Sequence, residues 1–183
     1  MLLSAFIAAP ALADNTGNYY VAADVGAATY SNLPGWSNPR VIRIAGGYYF
    51  SPVFAVEMGY SMFGDSNTID PVYGPAAISA SSFQIAAVGI FPLNSQFDLI
   101  GKVGLASNAE YYSDASGGYG SWAQSDLLIG FGGQFHVNSQ ISVRALYDNY
   151  GKFDNFFPPM KASSSSLGVV YNCLLYTSDA ADE

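Results

Sequence analysis

Ser163-Ser-Ser-Ser-Leu-Gly-Val-Val-Tyr-Asn172 is the stretch whose reading decides the fold. Leu167, Val169 and Tyr171 fall on one face at period two, and Ser166, Gly168, Val170 and Asn172 fall on the other. One face is oily and ends in an aromatic; the other is small or polar. Seven earlier stretches repeat the pattern, at residues 18–30, 39–50, 53–63, 81–91, 96–108, 123–136 and 140–152. They are joined alternately by short turns such as Ser51-Pro52 and by long polar connections such as 64–80 and 109–122. The pattern predicts an all-β chain, closed as an eight-stranded antiparallel up-and-down transmembrane β-barrel with its oily face towards lipid. A soluble barrel of the same strand number needs the inverse, an apolar inside and a polar outside.

Composition points the same way. Charged residues are 11% of the chain and aromatics 15%, where a soluble domain carries about a quarter charged residues. No run of 18 apolar residues offers a spanning helix. Closed barrels are the other structure that satisfies every backbone group in lipid. The net charge of −8 leaves no basic surface for phosphodiester backbones, so nucleic acid is excluded as a partner.

The two ends read differently from the middle. Residues 1–13 hold an apolar run, Leu2 to Ala9, and an A-x-A cleavage pattern at Ala11-Leu12-Ala13 without a preceding base, which is expected of a truncated signal peptide. Residues 173–183, from Cys173 to Glu183, break the alternation and resemble a translated sequencing adapter, so a non-native tail is expected there. The barrel domain is then residues 14–172, free of cysteine.

Alternating positions place Asp24, Arg43, Glu57, Lys102 and Arg144 inside at similar middle depths, with Asp98, Asp126 and Asp148 nearer the strand ends. The lumen of an eight-stranded barrel is wide enough only for side chains. Two carboxylates against three cations should therefore form a buried paired network, because an unpaired charge there is very costly. Such a network fills the lumen or gates a narrow ion path, and filling is the reading favoured here. His136, the one histidine, falls at the periplasmic rim with no serine in a suggestive local motif, and a metal centre lacks ligands. No cofactor is expected. In the long connections Tyr73, Tyr111, Tyr112, Tyr119, Trp122, Phe156 and Phe157 sit among Ser, Gly, Asn and Asp, a mixture suited to recognising a ligand.

The signal-like start, the eight alternating segments and the ending Leu167-x-Val169-x-Tyr171 resemble the OmpA-like, or porin-family, outer-membrane β-barrels. The resemblance covers residues 14–172 and rests on pattern. It implies residence in the bacterial outer membrane, with lipid and lipopolysaccharide as surroundings. It also implies that the barrel assembly machinery reads the ending around Leu167, Val169 and Tyr171. Family members usually carry an aromatic two residues after that tyrosine, where this chain has Cys173. The expected function is non-enzymatic, structural or in surface interaction through long extracellular loops that take an extracellular ligand. A narrow channel for small solutes is the alternative, and a lipid-modifying enzyme the third.

Overall fold

The period of two becomes the wall of the molecule. The computed structural model describes residues 16–31, 38–70, 74–114, 119–153 and 160–173. Its strands are β1 (Tyr19–Ser31), β2 (Arg40–Ser51), β3 (Phe54–Asp70), β4 (Gly74–Pro92), β5 (Phe97–Asp114), β6 (Tyr119–His136), β7 (Ile141–Lys152) and β8 (Lys161–Cys173). Each pairs antiparallel with its neighbours in chain order, and β1 pairs with β8, so the sheet closes and leaves no edge. The fold read from the sequence is the one observed.

Sidedness follows residue by residue. On β7, Ile141, Val143, Ala145 and Tyr147 are exposed, while Ser142, Arg144, Leu146 and Asp148 are buried. Val25, Leu105, Phe131 and Leu167 are each at least 60% exposed on the outer wall, a density of bare apolar side chains that suits hydrocarbon. Near the short turns the rings of Tyr19, Tyr48, Phe50 and Phe54 stand in a row, 4.9, 4.8 and 6.0 Å apart, as an interfacial girdle does. At the other end the outward positions turn polar, with Arg40, Ser107, Ser125 and Lys161 exposed.

The turns are locally determined. Asn138 Oδ1 accepts hydrogen bonds from the backbone N–H of Gln140 (2.9 Å) and Ile141 (2.7 Å), and Asn94 Oδ1 accepts one from Gln96 (2.9 Å).

Two expectations need correction. The connections 64–80 and 109–122 are largely strand: β3 continues to Asp70 and β4 begins at Gly74, while β5 continues to Asp114 and β6 begins at Tyr119. Outward positions there are residues such as Ser79, Ala109 and Ser121, so the oily alternation fades while the backbone ladder, which needs no particular side chain, goes on. Nor is the inside uniformly polar. It holds two apolar clusters, one around Tyr30, Phe63, Leu128, Tyr150 and Phe153, the other around Tyr20, Tyr49, Val88, Ile100 and Leu146. A lumen this narrow is packed like a core and takes apolar filling wherever no charge must be met.

Candidate functional site

The centre of the lumen is built over glycines. In register, Asp24 of β1 stands beside Arg43 of β2 on one side and Gly168 of β8 on the other, and Gly168 stands beside Arg144 of β7. Gly168 has no side chain, so Asp24 and Arg144 meet across it: Arg144 Nε and Nη2 donate to Asp24 Oδ1 and Oδ2 at 2.8 and 2.7 Å. A Cβ on Gly168 would occupy the space of the Asp24 carboxylate. Arg43 Nη1 donates to Asp24 Oδ2 at 2.9 Å, and Arg43 Nη2 donates to Glu57 Oε1. Glu57 Oε2 accepts from Arg144 Nη1 at 2.8 Å and from Tyr20 Oη at 3.0 Å.

The device recurs over Gly130, which stands beside Lys102 on one side and Asp148 on the other. Lys102 Nζ lies 2.6 and 2.8 Å from the two oxygens of Asp148 and 3.8 Å from Glu57 Oε1. Asp24, Arg43, Glu57, Lys102 and Arg144 are thus brought into one layer, none more than 5% exposed. Asp148 completes it. Placing that residue nearer a strand end, and expecting two acids against three bases, was an error of depth: strands tilt in a barrel, and a count from the turns does not give a common level. The sequence signal that finds Asp148 is the glycine between it and Lys102. With it the layer has three carboxylates and three cations, the balance a water-poor interior requires.

Towards the extracellular end, hydrogen bonds continue from Arg43 Nε to Gln84 (3.1 Å), from Gln84 to Ser61 (2.9 Å), and on to the Tyr150 hydroxyl (3.2 Å). Above them lies an aromatic plug in which the Phe63 ring meets those of Tyr150 and Phe153 edge-on, at 5.2 and 5.6 Å. Towards the periplasm the lumen widens into a cavity of about 330 Å³ beside Tyr49, Ile90, Asp98, Gln134 and His136. Asp98 and His136 meet there, Oδ2 to Nε2 at 2.7 Å, and His136 Nδ1 lies 2.9 Å from Ser142 Oγ. Ser142 is the in-register partner of His136 and is fully buried; strand pairing, not a local motif, makes the two neighbours. Among the described residues no group of three His, Cys, Asp or Glu side chains could hold a metal.

The remaining candidates scatter. Tyr111 is 56% exposed on the extension of β5. Tyr112, Tyr119 and Trp122 belong to the extended strands rather than to a loop, with Tyr112 paired to Gly120 and Trp122 to Glu110. Tyr73, Phe156 and Phe157 lie outside the described residues, as do residues 1–13 and 174–183 of the two ends. Leu167, Val169 and Tyr171 line the outer face of β8, and Cys173 closes that strand opposite Tyr19.

Residues 1–172 match the model of the outer membrane protein beta-barrel domain. The chain belongs to that family. Such barrels reside in the bacterial outer membrane, and the family read from the ending Leu167-x-Val169-x-Tyr171 stands. Among solved structures the chain is similar to Neisserial surface protein A, with TM-score 0.66, 19% identity, and 84% of this chain and 96% of that one covered. It is also similar to Ail, the attachment invasion locus protein of Yersinia pestis, in complex with the heparin analogue sucrose octasulfate (TM-score 0.63, 19% identity, 86% and 99% covered). A third is OprG of Pseudomonas aeruginosa (TM-score 0.61, 12% identity, 86% and 96% covered). At these identities the likeness is one of fold. No curated protein sequence matches the chain.

Proposed function

We infer that this outer-membrane barrel is non-enzymatic, that its lumen is a structural filling rather than a path, and that it works through the strands and loops raised above the outer leaflet. The observation that carries this reading is the stacked lumen. A balanced layer of six charges, each hydrogen-bonded, lies under an aromatic plug. A cavity at the periplasmic mouth is followed, against the charge layer, by a separate pocket of about 20 Å³, room for a single water.

The extensions supply the exposed surface. The stretches 64–80 and 109–122 carry Asp65, Asp70, Glu110 and Asp114 and no Lys or Arg, so charge favours a neutral or cationic surface ligand over a polysulfated one of the kind bound to Ail. A hydrolytic role for His136 is disfavoured because Ser142 Oγ is covered by the barrel. The test is conductance of the refolded barrel in planar bilayers. Silence is expected at all voltages; stable unitary openings of uniform size would replace the filled barrel with a narrow solute channel.

A further inference from the structure

The six basic residues divide evenly. Arg43, Lys102 and Arg144 are sealed in the lumen, and Arg40, Lys152 and Lys161 are exposed. Two of the exposed three meet. Lys152 ends β7 and Lys161 opens β8, directly opposite each other in register and both exposed. Plain alternation after Leu146 and Asp148 would put Lys152 inside. Gly151, at a φ of 71°, shifts the register after Asn149 and reverses the sides, so Lys152 faces out and Phe153 enters the lumen. Like charges facing each other on one side of an antiparallel pair repel. Asp126 of β6 stands near both lysines and accepts the Lys152 backbone N–H at 2.8 Å, offsetting one charge of the two.

The same strands carry a shallow groove on the lipid side below the lysines. One row around the wall reads Leu99, Gly133, Ala145, Leu167 in register across β5, β6, β7 and β8, so two side-chain-poor positions lie between two bulky ones. Phe131 and Tyr147, rings 5.3 Å apart, bound the groove towards the extracellular side. Tyr147 lies five residues from Lys152, about 16 Å along the strand, a distance spanned by a lysine stem and a lipid headgroup together. A smooth apolar wall would suit any lipid. A trough below a cationic pair that Asp126 offsets only by half suits one with an acyl chain and a phosphate.

We propose that the β5–β8 wall seats a phosphate-bearing glycolipid of the outer leaflet, with its phosphate between Lys152 and Lys161 and an acyl chain over Gly133 and Ala145. The site requires neither a filled lumen nor a ligand at the loops, so it stands or falls separately from the reading above.

Native mass spectrometry of the full chain refolded in zwitterionic detergent, titrated with bis-phosphorylated lipid A, reads this directly. One lipid A per barrel is expected to survive into the gas phase, and lipid A stripped of its phosphates is not. Lys152→Gln with Lys161→Gln should weaken retention about thirtyfold. Ala145→Phe, which fills the trough while leaving both lysines in place, should also weaken it, and Arg40→Gln on β2 should not. All these side chains are on the outer face, so faster gel migration of the unboiled protein should persist and confirms that each variant is folded. Equal retention by the lysine double variant would overturn the proposal. So would equal uptake of dephosphorylated lipid A, or a loss shared by Arg40→Gln but absent in Ala145→Phe, either of which marks diffuse attraction instead of a seat.

Discussion

Three cations inside the barrel and three outside obey different rules. Arg43, Lys102 and Arg144 are each met by a carboxylate within about hydrogen-bonding distance, and the tally closes at three against three. Lys152 and Lys161 face each other with one acid among the described residues, Asp126, at hand. In the lumen an uncompensated charge has no water to turn to, so the sequence must supply every counter-ion itself. At the boundary of the outer leaflet, water, salt and headgroups can do so. Charge balance inside is therefore a condition of folding, whereas surplus charge outside is free to serve recognition.

The sharpest way to break that contrast is to remove one partner from the sealed side. Arg144→Met keeps the volume but leaves three carboxylates against two cations, with Asp24 and Glu57 each losing a partner, and should cost about 3–5 kcal/mol of unfolding free energy, measured by urea titration in lipid vesicles. An unchanged midpoint would mean that the layer is not what holds the lumen together. A finer test asks whether the count or the identity of the charges matters. Lys102→Met alone should cost roughly 3 kcal/mol, while Lys102→Met combined with Asp148→Leu should cost clearly less, because the pair leaves together. Additive losses in that cycle would count against a balance rule. On the exposed side the sign should reverse. Lys161→Gln in lipid-free zwitterionic detergent should stabilise the barrel slightly, by about 0.2–1 kcal/mol, since it removes a repulsion and strands no acid. Destabilisation there would show that the lysine pair has a structural partner on the protein itself.

How much of this was legible depends on which physical rule each residue obeys. Parity alone sends Arg43 and Glu57 inward and Ile44 and Met58 outward, and the structure agrees because a closed sheet with one face in hydrocarbon allows no other register. Depth is not carried by parity. Asp148 looked peripheral when counted along its own strand, yet tilt brings it beside Gly130 and so to Lys102. Side is lost wherever alternation breaks: one glycine at positive φ moves Lys152 and Phe153 to walls that counting assigns the other way. The extensions of β3 to β6 escaped notice because a strand in water need not be oily. Pairs such as Asp24 with Arg144, or His136 with Asp98, join distant parts of the chain and become visible only once the ladder is known.

The glycine at position 168 has a consequence for how the molecule comes to exist. Asp24 belongs to the first strand and Arg144 to the seventh, and they clasp over the eighth, which fills the last gap in the wall. Until that gap is filled, the arginine lacks the carboxylate that takes two of its donors, and a half-made cylinder must stay wet within. Sealing the seam and drying the interior are therefore one event, and a chain halted before its final strand could not remain quietly in hydrocarbon.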